Sequence, residues 1–511
     1  MPLAKVYSAA LLGLEARVVE VEVDLSGGLH AFHIVGLPDA AVNEAKERVS
    51  SAIKNSGLTP PIYSHRRVIV NLAPADLKKQ GPAYDLPIAA AFLLASSQLK
   101  IKNLENALLA GELSLEGQLR PINGILSIAL MAREKGFKSL FTPEQNAAEA
   151  ALVDNLEIIP VRSLNQLVSH FNNQEIIPPQ PKTELNQLAA PLENSLDMAY
   201  IKGQEHVKRA LEIAAAGGHN ILMFGPPGAG KTLLARAFSS ILPPLTKEEV
   251  LEVTKIFSAA GRLPRGENLV LKRPFRHPHH TASTAALVGG GPYPKPGEIT
   301  LAHHGVLFLD ELPEFHRDVL ESLRQPLEDK IINVSRAANS LTFPANFTLI
   351  SAMNPCPCGK LDDPKSQCLC SIGQISKYQR KISGPLLDRI DLHIEVPRLE
   401  YQELAEEKVA ESSALIRKRV QKARGIQKQR FGAENISLNN QMNVSQIKNY
   451  CRIDSQSQGL LKAAVSQMRL SARSYHRLLK LARTIADLNQ EKNIQPNHLA
   501  EAIQYRPKLE I

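Results

Sequence analysis

The sequence predicts a multidomain α/β protein: a central core in which a parallel sheet is flanked by helices, preceded by an α+β domain and followed by a helical one. Three observations carry that expectation. The chain has 511 residues, and single domains usually run ~50–250 residues, so one core is too few. Between Ile221 and Thr232 an apolar stretch runs into a glycine-rich turn and then a helix start, the unit from which parallel sheets are built. Before it, strand-like and helical stretches mix; after Tyr401 come long charged helical stretches with few glycines.

Residues 1–170 form the first expected domain. Arg17–Asp24 alternates apolar and charged residues like a strand, as does Arg67–Asn71, whereas Asp39–Asn55 and Leu86–Ser96 have helical patterns. Leu86 to Gln98, the longest candidate for a membrane helix, holds 13 uncharged residues and falls short of the ~18 such a helix needs. It reads as a buried core helix, with no membrane partner. Glu15 and Arg17 interrupt the only apolar stretch near the N-terminus, which argues against a secretory leader. Residues 171–196, rich in Asn, Gln and Pro, read as a linker. The central core is expected over 197–400 and the helical domain over 401–511.

Apolar residues make up 44% and charged residues 22% of the chain, a globular balance that excludes disordered and fibrous classes. The net charge of +9 is unevenly placed. Residues 1–170 carry 16 Lys+Arg against 17 Asp+Glu, whereas 201–511 carry 43 against 30. A basic C-terminal half suits a polyanion such as nucleic acid, with a solvated basic surface as the alternative. The densest run, Arg417 to Arg430, holds seven cations and no acid.

Gly225, Pro226, Pro227, Gly228, Ala229, Gly230, Lys231 and Thr232 match the phosphate-loop pattern G-x-x-x-x-G-K-[ST] in full. Such a loop turns backbone N–H groups towards phosphates at a helix N-terminus. Lys231 then reaches the β- and γ-phosphates of ATP, and Thr232 gives a hydroxyl to Mg2+. The apolar strand Val306–Leu309 ends in Asp310 and Glu311. Asp310 suits the magnesium shell, and Glu311 the activation of the attacking water. A further apolar strand, Phe347–Met353, ends in Asn354, a neutral group suited to positioning that water.

Four of the five cysteines, Cys356, Cys358, Cys368 and Cys370, fall within fifteen residues. Two such knuckles suit a closed tetrahedral Zn2+ site of structural type, although the Cys-x-Cys spacing is tighter than usual. Reduced thiols in a loop are the alternative. A metal cluster rather than a disulfide framework points to a reducing, cytoplasmic setting. Cys451 stands apart and reads as inert.

The phosphate loop, Asp310, Glu311, Asn354 and the phrase Ser383 to Asp391 resemble the AAA+ ATPases of the magnesium-chelatase-like group. Further phrases extend the resemblance over nearly the whole chain to the ComM/YifB family: Val35–Asp39, Gly81–Pro87, His279–Thr281, Pro296–Glu298, Leu301–Pro313 and Ala482–Asp487. The resemblance implies a homo-hexameric ring with ATP sites between subunits. It implies a role for Arg389 as the arginine finger reaching a neighbour's γ-phosphate, the alternative being a salt bridge to Asp388 or Asp391. Arg473 is similar to the second sensor arginine of the helical lid, with Arg477 one turn on as the alternative. Lys330 to Phe343 resembles the hairpin before the first sensor, which in ring helicases points into the pore and would let Arg336 grip DNA; a solvent-facing hairpin is the other reading. Arg276 to His280 resembles the start of an insertion in the core rather than a metal site.

Gly81–Ala83 and Gly111–Gly124 resemble the protease domain of Lon, which pairs a Ser nucleophile with a Lys base. The matching positions hold Ala83 and Leu126, so proteolysis is not expected. The resemblance to the ComM/YifB family implies a motor acting on single-stranded or branched DNA, promoting branch migration in recombination during natural transformation, with recombination proteins as further partners. A magnesium-chelatase motor subunit and a protein-remodelling chaperone are the alternatives.

Overall fold

The computed structural model describes residues 3–506 apart from 30, 64–65, 102–103, 184–195, 265–266, 292–293, 336–339, 362–366, 400–409, 433, 435 and 469. It divides into two compact units, Met1–Ala189 with Lys247–Leu271, and Ala190–Thr246 with Lys272–Ile511.

In the first unit, strand Leu3–Leu12 turns at Gly13 into strand Glu15–Gly27, and the two pair antiparallel from Leu3 opposite Asp24 to Leu12 opposite Glu15. Val19, Val21 and Val23 are fully buried while Glu20, Glu22 and Asp24 between them are not, the alternation of a strand with one covered face. Seven strands form the sheet, in the order Ala31–Val35, Arg66–Ala73, Glu15–Gly27, Leu3–Leu12, Ala107–Leu109, Ser139–Pro143 and Glu157–Val161. Helix Asp85–Ala95 is buried nearly all round, which its lack of a polar face dictates. Burial pushes the Asp85 carboxyl up to about 6 against the pull of Arg48, whose Nε and Nη2 donate to it at 2.7 and 3.0 Å.

Two features of this unit have no local sequence signal. Ile177 is buried, and Gln180 N–H donates to Ile158 O at 2.8 Å, so the start of the proline-rich stretch packs on the unit. Helix Lys247–Ala260 belongs here although it follows the phosphate loop in sequence. Its Val253 and Ile256 are buried, and Ser258 Oγ accepts from Gly124 N–H at 3.0 Å.

The second unit is built on five parallel strands in the order Phe275–Arg276, Val306–Leu309, Thr348–Met353, Ile221–Phe224 and Leu392–Glu395. Val306–Leu309 and Thr348–Met353 are buried along their whole length, as strands covered on both faces must be. Helices Glu205–Gly217 and Lys231–Ile241 share one apolar core with the C-terminal helices Ser413–Phe431, Ala472–Leu488 and Pro496–Gln504. Ile331–Ser335 and Ser340–Pro344 form a separate antiparallel hairpin. Arg336, expected near its tip, lies outside the described residues.

A polar knot closes the unit behind the central strands. Asp391 accepts from Arg477 Nη1 at 2.7 Å and from Asn220 N–H at 3.1 Å, and lies 3.3 Å from the His219 ring. His219 Nε2 in turn meets Thr484 Oγ1 at 2.8 Å. Burial alone would raise the Asp391 carboxyl; Arg477, His219 and Asn220 outweigh it and hold the group well below the usual carboxylate range. Removing one member of such a buried pair strands the other, so Asp391→Asn should destabilise the protein by about 3–5 kcal/mol, read by far-UV circular dichroism in urea. A depressed folded pKa means the contribution is complete above the unfolded pKa of about 3.9 and is lost as pH falls further. The variant should therefore show a shallower loss of stability below about pH 4 than the parent.

Candidate nucleotide site and cysteine knuckle

The ends of three adjacent parallel strands supply the site. Ile221–Phe224 leads into the phosphate loop, Val306–Leu309 into Asp310, and Thr348–Met353 into Asn354. The carboxyl ends of parallel strands are where open α/β sheets place their ligands. Lys231, 8% exposed, donates from Nζ to Gly225 O at 2.7 Å, Pro226 O at 2.9 Å and Asn354 Oδ1 at 3.2 Å. Burial lowers its pKa, and Asp310 and Glu311 pull the other way. Thr232 Oγ1 donates to Asp310 Oδ2 at 2.7 Å, bringing together the two groups expected to share Mg2+. Glu311 N–H donates to Asp310 Oδ1 at 3.0 Å, with Glu311 itself at φ 52.

Four of the expected residues are thus joined by hydrogen bonds, and Glu311 abuts them. Two further side chains belong here that the sequence reading did not assign. His280 Nδ1 lies 3.2 Å from Glu311 Oε2. Gln204 Nε2 donates to Ala229 O and to Pro397 O, both at 3.0 Å, which ties the phosphate loop to the chain after strand Leu392–Glu395. Neither had a spacing signal, because each works through a contact distant in sequence.

Three family models match: "Magnesium chelatase, subunit ChlI" over residues 197–404, "Subunit ChlI of Mg-chelatase" over 21–146, and "Magnesium chelatase, subunit ChlI C-terminal" over 410–506. The chain is 45% identical to Competence protein ComM of Haemophilus influenzae, over 99% of this chain and 98% of that one. The chain belongs to the ComM/YifB family of magnesium-chelatase-like AAA+ ATPases. YifB of Escherichia coli is 42% identical over 99% of this chain and 97% of its own. Lon protease of Rhizobium meliloti is 29% identical over 25% of this chain and 16% of its own. The family suggests ATPase activity with ATP and Mg2+, with which the Lys231–Asn354 and Thr232–Asp310 contacts are consistent.

At the Lon-like positions, Leu126 is fully buried with its N–H on Glu149 Oε1 at 3.1 Å, and Ala83 O accepts from Gly111 N–H at 2.9 Å. Neither side chain can act as nucleophile or base. No helix among the described residues is long and apolar enough to cross a membrane.

The two candidate arginines sit apart from the Lys231 network. Arg389 is 7% exposed; its Nη2 pairs with Glu328 at 2.7 Å and its Nη1 donates to Pro385 O at 2.6 Å. The carboxylate it takes within the chain is therefore Glu328, not Asp388 or Asp391. Arg473 is exposed near the start of helix Ala472–Leu488, whereas Arg477 is held by Asp391.

Cys356, Cys358, Cys368 and Cys370 bring all four Sγ atoms within 4.8 Å of one another. The separations Cys356–Cys358, Cys358–Cys368 and Cys356–Cys368 are 3.3, 3.6 and 3.7 Å. A tetrahedron with Zn–S of about 2.3 Å has edges of about 3.8 Å, so the donor set fits zinc. Four thiolates would leave the ion no open position, which makes it a staple for the loop and not a catalyst. Cys451 is buried and its thiol is pushed up to about 12 by desolvation, in keeping with an inert role. Gly359, at φ +76, passes so close to the phosphate loop that a Cβ would stand 2.6 Å from Pro227 Cδ. The knuckle is thus seated on the nucleotide loop. Metal analysis of the purified protein should find about one zinc per chain, lost in Cys356→Ser.

Proposed function

We propose that the protein is an ATP-driven motor on DNA, working as a homo-hexameric ring and promoting branch migration in recombination of incoming DNA. What supports this most is the joined Lys231, Thr232, Asp310 and Asn354 network in a chain that matches Competence protein ComM over its full length. In this reading Lys231 and the loop Gly225–Thr232 hold the triphosphate. Thr232 and Asp310 hold Mg2+, Glu311 takes the proton of the attacking water, and Asn354 places that water. Arg389 leaves Glu328 to reach the γ-phosphate of the next subunit. Arg473, the exposed member of its pair, closes the lid, since Arg477 is committed to Asp391. Arg336 grips DNA from the hairpin Ile331–Pro344, and zinc holds the four-cysteine knuckle. Recombination proteins are the partners this role calls for.

A second reading, a magnesium-chelatase motor subunit, is favoured by the descriptions of all three matching family models. ATPase stimulation by single-stranded or branched DNA, beside porphyrin metallation with a chelatase partner, separates the two. Stimulation by DNA without metallation is expected; metallation alone would replace the DNA reading, and neither would leave protein remodelling.

Glu311→Gln should bind ATP as the parent does and lose turnover by about 10²–10⁴-fold, because the amide cannot accept the proton. Near-parental hydrolysis would remove Glu311 from that role. Arg389→Ala and Lys231→Ala should each be inactive, yet mixing them should restore part of the ATPase activity. Only a ring that pairs an intact loop with an intact finger across one interface gives that result, and rescue absent at every mixing ratio would place Arg389 outside the neighbour's site.

A further inference from the structure

We propose that the cleft lined by Arg317, Lys377, Arg380 and Lys381 binds the phosphate backbone of single-stranded nucleic acid, an assignment that rests on the DNA reading above and locates the surface that serves it. The cleft has a volume of about 850 Å³ and opens beside the turn that follows Glu311; Pro313, Glu314 and Phe315 form one wall. Glu314 is its one carboxylate, and Lys381 Nζ already pairs with it at 3.1 Å. Arg317, Lys377 and Arg380 are exposed, and their side chains carry no hydrogen bond or ion pair among the described residues.

What sets them apart from the denser basic run on helix Ser413–Phe431 is that they line one cleft, whereas on that helix the arginines are engaged and the exposed Lys418, Lys422 and Lys428 line no such cleft among the described residues. There Arg417 donates to Ser240 O at 3.2 Å, Arg419 pairs with Glu212 at 2.5 Å and with Glu411, and Arg424 donates to Ala215 O at 2.6 Å. Arg430 forks onto Asp487, with Nη1 to Oδ2 at 2.8 Å. Those arginines hold the helix to its own unit. Sequence density of cations therefore overstates the charge that helix has free, which is three lysines of seven cations.

The chemistry of the cleft selects the partner. Its three free cations face solvent, so each gains little from a single small anion. A polyanion that releases condensed counterions gains with every phosphate neutralised. Phe315 and Tyr378 are buried, so the imidazole of His316 is the exposed ring on the cleft lining. Contacts limited to phosphates position a strand without reading its sequence. The wall that carries Lys377 is also preorganised: helix Ile372–Gln379 opens on a Ser371/Gln374 capping box, and its Gln379 Nε2 donates to Pro355 O at 3.2 Å.

The test compares two triple variants of the full-length protein that remove equal charge, R317A/K377A/R380A in the cleft and K418A/K422A/K428A on the exposed side of helix Ser413–Phe431. Binding to a labelled oligodeoxythymidine is followed by anisotropy from about 50 to 200 mM salt, with circular dichroism confirming that both remain folded. At ~0.7 per phosphate contact on a single strand, the cleft variant should lose about 2 from the log–log salt slope. The affinity ratio of parent to variant should then shrink about 16-fold across that range. The helix variant should keep the parental slope. An unchanged slope in the cleft variant, or equal loss in both variants, overturns the assignment. So does an unchanged slope accompanied by loss of DNA-independent ATPase activity, which would give the cleft to a neighbouring subunit's nucleotide. A parent that binds no oligonucleotide at any salt concentration instead overturns the DNA reading itself.

Discussion

The second unit depends on one buried carboxylate. Asp391 gathers Arg477 from the C-terminal helix, His219 from the turn after helix Glu205–Gly217, and the backbone of Asn220. Asn220 spreads the constraint: its Oδ1 accepts from Leu349 N–H at 2.9 Å and its Nδ2 donates to Arg389 O at 3.1 Å. Three strands that share no local sequence are thereby pinned in register at their starts. A charge so buried is tolerable only because its lone pairs are filled and a guanidinium faces it.

Register at one end of a strand fixes position at the other. Ile221 pairs with Ile350 on one side and Leu392 on the other, and Phe224 with Met353 and Glu395. A slip of one residue would turn every buried side chain to the wrong face and carry Asn354 away from Lys231. Gly225 adds a second restraint: a Cβ there would stand 2.1 Å from Val396 O, so the phosphate loop leaves its strand hard against the neighbouring chain. The knot and the nucleotide site thus occupy opposite ends of the same short strands.

This arrangement explains what could be read in the sequence. Lys231, Thr232, Asp310 and Asn354 were legible because each sits within a few residues of an apolar strand end, where spacing carries geometry. The four cysteines were legible for the same reason. Arg389 was legible as a charged residue in a recognisable phrase, but its Glu328 partner lies 61 residues earlier, with no pattern to link them. Helix Lys247–Ala260 was assigned to the core because it follows the loop in sequence; its burial with Ile125–Glu134 is a tertiary event. The basic run was legible as charge only, since charge counts register arginines and not the acids and carbonyls that engage Arg417, Arg419, Arg424 and Arg430.

The segment between Asn354 and helix Ile372–Gln379 shows why a cysteine knuckle should stand in an ATPase core. Among its described residues only Pro355, Cys356 and Gly359 are buried before Tyr378, and Leu369 and Ile372 are largely exposed, at 87% each. Burial of that order cannot offset the backbone entropy of ordering such a loop, about 1–2 kcal/mol per residue. Four thiolates on one ion would supply the missing free energy locally. They would do so where it matters mechanically, because the knuckle begins two residues after Asn354, rests through Gly359 on Pro227, and ends at the cap of the helix that carries Lys377. A rigid knuckle makes the γ-phosphate side of the site and the wall of the cleft parts of one body, so a shift at either is felt at the other.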